Sequence, residues 1–166
     1  MKKKLGIGIV LMVMLVGCSG DKELSDFTEN YNDNTYEFVS VDLLEEDDFE
    51  NIRKEKYGKW KKLYEDENNY SVEAKYSDDD ELTGYHIYID GEQSYELLEG
   101  EGYEASQVIA ETLGLDRESF IKKYSEALES GDVEYIDGDY EISFYDFSAG
   151  QTINYEGMTI NYDKAS

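Results

Sequence analysis

The sequence predicts an α+β domain in which antiparallel hairpins form a sheet with about three helices packed on one face. Apolar residues alternate with period two in several short segments bounded by turn residues, which is typical of strands. Elsewhere they recur at helical spacing. The chain has 16 Tyr, 6 Phe and 1 Trp, so it can build a core despite its acidity. It has no proline and one cysteine, which predicts one domain without an internal disulfide.

Three elements are expected in the first third of the chain. Residues 18–34 are polar and are interpreted as a tether that precedes a single domain at 35–166. Residues 36–41 follow as a strand. A helix is then predicted from about 48 to 65, weakened at Gly58, because Asp48 is a good N-cap. Its apolar face comprises Phe49, Ile52, Trp60, Leu63 and Tyr64.

Period-two alternation at 70–76 and 85–89 predicts two strands of a hairpin, joined by the polar loop 77–84. Residues 94–98 are a further candidate strand. Two helices follow. The first has a stripe from Ala105 to Leu113 and ends at Gly114, and the second is capped by Asp116 and ends at Gly131.

The last third of the chain reads as strands. Residues 133–136 and 140–144 flank Asp137-Gly138, a strong hairpin turn signal. Residues 153–155 and 160–162 flank Glu156-Gly157, which predicts a second tight hairpin.

The N-terminus has the pattern of a secretory signal. Three lysines follow Met1, and residues 5–16 are twelve residues without a charged or polar side chain. This basic and then apolar order is typical of a signal peptide, here residues 1–17. Twelve residues are too few for a spanning helix, which needs about 20.

The residues Leu15-Val16-Gly17-Cys18 resemble the lipobox of bacterial lipoproteins. The resemblance implies cleavage before Cys18 and attachment of a diacylglyceryl group to its thiol. The protein is then expected on the outer face of the cell membrane, held by acyl chains. Its Lys-, Tyr- and Glu-rich composition favours a Gram-positive bacterium.

Charge limits the classes of partner. Without the signal the chain has 12 basic and 40 acidic residues, a formal net charge of −28. This excludes nucleic acid as an expected partner, because binding it needs a basic surface. An anionic membrane should repel the body of the protein, which is expected to stand off from it.

Half of those basic residues lie within ten positions. One hypothesis is that this basic cluster, with Trp60, binds an anionic protein or wall polymer. The alternative is that it packs against the domain's own acidic surface and relieves self-repulsion. The cluster comprises Arg53, Lys54, Lys56, Lys59, Lys61 and Lys62.

Tyr88 and Tyr145 are the other candidate binding residues. Alternation places both on the strand face opposite the core, where an exposed ring beside carboxylates suits a sugar or a peptide. Ordinary packing across the sheet is the alternative interpretation.

The sequence gives little support for catalysis. His86 is the only histidine, and alternation directs it to the same face as Tyr88. No nucleophile elbow, P-loop or zinc motif is present. The acidic run at 78–81 lacks the Gly and the spacing of a calcium loop. No metal site and no cofactor is therefore predicted.

The predicted function is non-catalytic binding or accessory work at the cell surface. Two alternatives remain open. One is an acidic inhibitor or immunity-type protein that caps a basic partner. The other is a small carbohydrate-active enzyme that uses paired carboxylates.

Overall fold

A computed structural model confirms the α+β prediction, with a seven-stranded antiparallel sheet and three helices. The structure describes residues 19–38, 40–56, 58–66, 69–91, 99–146 and 156–165. Within these ranges no helix has the length and hydropathy needed to cross a bilayer. The elements are α1 Ser19–Asn34, β1 Arg53–Glu55, β2 Gly58–Glu65, β3 Tyr70–Tyr76, β4 Leu82–Gly91, α2 Glu101–Thr112, α3 Arg117–Ser130, β5 Val133–Asp137, β6 Tyr140–Asp146 and β7 Glu156–Lys164.

The strand order in the sheet is β1-β2-β3-β4-β7-β6-β5. The last strand, β7, therefore lies in the middle and joins the β1–β4 meander to the β5–β6 hairpin. Its register pairs Ile160 with Ile87 of β4 on one side and with Phe144 of β6 on the other. This pairing places the three apolar side chains in one row across the sheet.

All three helices cover the same face of the sheet. Phe27 of α1 stacks on Tyr85 of β4, with ring centroids 3.8 Å apart. In α3, Phe120 contacts Phe144 of β6 at 5.4 Å between centroids. None of the described helices packs on the opposite face, which is called the open face below. Its side chains alternate with a core row that includes Tyr70, Val72, Ala74, Tyr85, Ile87, Ile89, Ile142, Met158, Ile160 and Tyr162.

The first correction concerns the expected tether at residues 18–34. Ser19–Asn34 form α1. Leu24, Phe27 and Tyr31 recur at helical spacing and are 4%, 5% and 0% exposed. The sequence between them is polar, and three apolar side chains in sixteen residues make only a weak helical pattern. Burial against the sheet stabilises a helix that its composition alone would not.

The second correction concerns the helix expected at 48–65. The segment forms β1 and β2, an antiparallel hairpin that pairs Lys54 with Lys59. The register of β2 on β3 shifts between Lys62 and Tyr64. Such a bulge breaks the period of two. Trp60, Leu63 and Tyr64 have the i, i+3, i+4 spacing of a helical stripe, but in the strand Trp60 lies on the open face and Leu63 is buried in the core.

The strand expected at 36–41 is also absent from the residues described there. Thr35–Glu37 form a single 3₁₀ turn, and Phe38 ends it with extended backbone. Tyr36 is 92% exposed, whereas Phe38 is buried. A second 3₁₀ turn, Glu46–Asp48, precedes β1.

The helix-loop-helix prediction is confirmed by α2 and α3. Asp116 caps α3 by accepting a hydrogen bond of 2.9 Å from the Ser119 backbone N–H. Gly114 and Gly131 follow the two helices with φ of 73° and 94°, which favours glycine. Gly102 lets α2 approach the sheet, since an ideal Cβ there would lie 2.6 Å from Ile89 Cγ2.

Two of the predicted hairpins form in the structure, and a third predicted turn does not. The β3–β4 and β5–β6 hairpins are confirmed, and Gly138 turns the latter with φ of 57°. The turn expected at Glu156-Gly157 is wrong, because both residues lie in β7 and pair with β4. The strands expected at 94–98 and 153–155 lie outside the described residues.

Candidate functional site

The basic cluster lies on the β1–β2 hairpin, where most of its charge is engaged by carboxylates of the same chain. Arg53 contacts three of them, Glu50, Glu55 and Glu73. Hydrogen bonds to Glu55 and then Glu73 raise the pKa of the guanidinium. The Arg53 side chain is 33% exposed. It is therefore half-buried and held against the sheet surface by its carboxylate partners.

The lysines of the cluster follow the same pattern. Lys54 pairs with Asp78 at 3.5 Å, and Lys59 pairs with Asp80 at 2.9 Å. Lys61 Nζ lies 5.6 Å from the centre of the Phe49 ring. The arrangement agrees with the interpretation that the cluster relieves the domain's self-repulsion.

Lys62 forms a bridge to the chain that precedes β1. It contacts Glu65 at 2.7 Å and Glu50 at 3.4 Å, and the hydrogen bond to Glu65 raises its pKa. Lys56 also has an interaction partner. The basic cluster thus acts as part of a charge network on the edge of the sheet.

Trp60 lies on the open face, where its ring contacts residues of the neighbouring strands. Its ring meets the His86 ring edge to face, with centroids 5.4 Å apart and an interplanar angle of 82°. Lys75 Nζ lies 5.5 Å from the Trp60 ring centre. Since β3 runs between the strands of Trp60 and His86, the indole reaches across the sheet.

His86 is held by its neighbours on the open face. Its Nδ1 lies 3.1 Å from Asn161 Oδ1. Burial lowers the pKa of the imidazole, opposed by the Asn161 contact. A neutral ring therefore donates from Nδ1 to the Asn161 oxygen. The neutral His86 ring is therefore held in one orientation by its contact with Asn161.

Tyr88 and Tyr145 lie on the open face, as the alternation predicts. Both pair with Thr159 of the central strand, one from each side. Gly157 makes room for Tyr88, since an ideal Cβ there would lie 3.1 Å from Tyr88 Oη. Tyr145 donates to Glu134 Oε1 at 3.3 Å. The two rings therefore flank β7.

Three polar residues of this face were not identified from the sequence. Ser143 and Thr159 are buried, at 9% and 8% exposed, although no helix in the described part of the chain packs on them. They alternate with core residues, as does Asn161, so the period of two contained the signal. With Trp60, His86, Tyr88 and Tyr145 they form a surface of aromatic rings and uncharged hydrogen-bonding groups, called the open-face site below.

Two charged residues of the open-face site, Glu73 and Lys75, lie on β3 between Trp60 and His86. Arg53 contacts Glu73, and Lys75 contacts Asp163. These pairs reduce the net charge of this part of the site within a chain of net charge −25, and Glu134 adds a carboxylate beside Tyr145. An uncharged ligand would meet less repulsion here than elsewhere on the protein.

A second depression, the carboxylate groove, lies beside the end of β2. It has a volume of 520 Å³. Tyr64 in its wall donates to Asp42 at 2.6 Å, and burial followed by this hydrogen bond raises the pKa of the phenol. The lining residues are Asp42, Leu43, Glu45, Asp48, Glu50, Lys62, Leu63, Tyr64 and Glu65.

The groove does not assemble a metal centre in the part of the chain described. No group of three or more His, Cys, Asp or Glu side chains within those ranges has the geometry to hold an ion. Sequence analysis missed the groove because its walls come from 42–50 and 62–65, which only the fold brings together.

Comparison of the chain with protein-family models, with curated proteins and with solved structures gave no match.

Proposed function

We propose that this chain is a lipoprotein, anchored through a diacylglyceryl group on Cys18 to the outer face of the cell membrane, with a non-catalytic binding role. The observation that carries the proposal is the place of Cys18. The residues that resemble a lipobox end at Cys18, and the described helix α1, Ser19–Asn34, lies after it. A signal peptidase cut before Cys18 would therefore remove the leader and leave every element among the described residues intact.

The open-face site is the binding surface in this proposal. Trp60, Tyr88 and Tyr145 are partly exposed rings on this face, and Thr159 of the central strand lies between the two tyrosines. Rings bind apolar faces of sugars and peptides, and neighbouring polar groups orient the ligand. The partner is a protein or a wall polymer that presents such groups without strong charge.

A photocrosslinking amino acid placed at Tyr88 in living cells tests this surface. The matched control places it at Lys122, whose side chain is 75% exposed on the helical face. We expect a discrete product from position 88 that Trp60→Ala removes. The same product from both positions, or a product that Trp60→Ala leaves unchanged, would contradict binding at the open face.

The proposal that the protein is not an enzyme can also be tested. Purified lipoprotein is incubated with wall glycan, and released sugars are measured. We expect no turnover. Turnover abolished by a carboxylate-to-amide substitution would contradict the proposal and support the paired-carboxylate enzyme.

The second candidate is an acidic inhibitor that caps a basic partner. Two observations favour it. Carboxylates of the chain already engage most of the basic cluster, and the carboxylate groove has the size to admit a basic side chain. A pull-down at low and high salt distinguishes this function, because binding by charge is lost as salt screens it.

The informative variant for this candidate is Glu45→Gln with Asp48→Asn in the groove. Asp78→Asn with Asp79→Asn, in the exposed β3–β4 turn, removes the same charge elsewhere. Loss of a salt-sensitive partner with the groove variant alone would support the inhibitor. Equal loss with both variants would indicate general charge attraction.

A further inference from the structure

We propose that the lipid anchor holds one particular end of the sheet in the headgroup layer of the membrane, so that the domain stands upright on that end. The inference rests on the proposed lipidation of Cys18. It follows from α1, which occupies the residues that would otherwise form a flexible tether. Consecutive Cα atoms lie about 3.8 Å apart, so Cys18 is at most about 7 Å from Gly20.

Gly20 is packed against the β3–β4 turn. An ideal Cβ at Gly20 would lie 3.3 Å from the Asp80 carbonyl oxygen and 3.7 Å from the Leu82 backbone nitrogen. The acyl chains on Cys18 must therefore leave the protein beside this turn. Its side chains at Asp78, Asp79 and Asp80 are exposed, and they become the groups nearest the lipid.

Further contacts fix the start of α1 to the same end of the sheet. Lys164, near the end of β7, pairs with Glu23 of α1 and donates to the Leu82 carbonyl oxygen at 2.8 Å. Ala165 N–H donates to the Asp139 carbonyl oxygen in the β5–β6 turn at 2.8 Å. The anchored end therefore comprises the start of α1, two hairpin turns and the end of β7.

The carboxylate groove lies toward the opposite end. Glu65, which lines the groove, pairs with Ser71 near the start of β3. Lys59 pairs with Tyr76 at the other end of β3. Seven residues of strand span about 20 Å. This distance exceeds the Debye length of about 8–10 Å. The groove is thus directed away from the membrane, and the open face is nearly perpendicular to it.

Charge favours this upright orientation over a flat one. The chain has 40 acidic and 15 basic residues, and an anionic bilayer repels any acidic face laid against it. The covalent anchor overcomes that repulsion only at the end where it is attached. The expected contact is therefore small and consists of headgroups around the start of α1.

Fluorescence quenching by a headgroup-nitroxide lipid tests the orientation. Lipidated protein is placed in phosphatidylglycerol vesicles with a fluorophore on a single introduced cysteine. Cys18 is the only cysteine in the chain, and as a thioether it does not react. Asp79→Cys labels the anchored end, and Glu65→Cys labels the far end, where that side chain is 48% exposed.

We expect several-fold stronger quenching at position 79 than at position 65. A Gly-Ser linker of about 15 residues inserted between Cys18 and Ser19, ~20 Å in r.m.s. length, should reduce the difference. Equal quenching at both positions in vesicle-bound protein would overturn the orientation. Failure of the wild-type protein to float with vesicles, or flotation of Cys18→Ser, would instead overturn the proposed lipidation.

Discussion

Trp60 and His86 lie edge to face on the open face of the sheet, with ring centroids 5.4 Å apart, although β3 separates their strands. The histidine is fixed on its other side by Asn161, 3.1 Å from Nδ1. This three-residue row links β2, β4 and β7. Because Trp60 is the only tryptophan of the chain, its fluorescence reports directly on the open-face site.

His86 should make the stability of the fold sensitive to mild acid. Burial lowers its folded pKa below the ordinary value of about 6.5. The unfolded chain therefore takes up the proton first as pH falls. The stability contributed by neutral His86 is present above pH about 6.5 and is lost as pH falls through the folded pKa.

The measurement is urea unfolding at pH about 7.5 and about 5.0, on either side of the ordinary histidine pKa, for wild type and His86→Asn. Protonation of surface carboxylates affects both proteins alike. The wild type should lose more free energy of unfolding, or gain less, on acidification than the variant does. Identical changes in the two proteins would show that His86 does not titrate differently on folding.

Charge reversal in the basic cluster should destabilise the domain. Lys59 and Lys62 are only 17% and 22% exposed and pair with carboxylates. Lys59→Glu, Lys61→Glu and Lys62→Glu together should cost about 2 kcal/mol, since each such pair contributes ~0.2–1 kcal/mol and reversal adds repulsion. Thermal unfolding measures the change.

Lys122→Glu is the control for charge reversal, because Lys122 is 75% exposed on α3. It should change stability by less than about 0.5 kcal/mol. Unchanged stability of the triple variant with lost retention on cell wall would show that the cluster serves an anionic partner.

Helix α1 should contribute to the stability of the domain. Phe27 is 5% exposed and stacks on Tyr85 at 3.8 Å. Phe27→Ala should lower the free energy of unfolding by about 3–5 kcal/mol through lost burial and a cavity. Glu29→Ala, at an exposed position of the same helix, should have little effect. Equal small effects would restore the tether interpretation for 19–34.

Most tyrosines of the core should resist ionisation until the chain unfolds. Burial raises the pKa of Tyr76 to about 12 and that of Tyr85 further. Stability from such groups is present below the ordinary tyrosine pKa of about 10 and is lost as pH rises through the folded value. The tyrosines with raised pKa include Tyr31, Tyr64, Tyr70, Tyr76, Tyr85, Tyr103, Tyr135, Tyr140 and Tyr162.

Tyrosinate absorbance in an alkaline titration, followed together with circular dichroism, measures this resistance. The described tyrosines with raised pKa should stay protonated at pH about 10 and should titrate together with loss of structure. Titration of nearly all of these tyrosines in folded protein would contradict their burial.

The sequence predicted correctly those elements whose pattern lies within a short stretch of residues. Period two and a Gly138 turn predict the β5–β6 hairpin, and Asp116 with Gly131 defines both ends of α3. The same alternation assigned Tyr88 and Tyr145 to the face opposite the core. These features depend on residues close together in the sequence.

Features that depend on tertiary structure could not be predicted in this way. The polar α1 is stabilised by burying Leu24, Phe27 and Tyr31 against the sheet. The apolar residues of β2 do not alternate with period two, and a bulge between Lys62 and Tyr64 accommodates them in a strand. The contact of Trp60 with His86 and the walls of the carboxylate groove require the registers of strands distant in the chain.

The lipid anchor proposed for Cys18 can be tested by mass spectrometry of the protein purified from native membranes. We expect an N-terminal peptide that starts at Cys18 and has the added mass of a diacylglyceryl thioether. An intact Met1, or a bare Cys18 thiol on protein recovered from the cytosol, would contradict it.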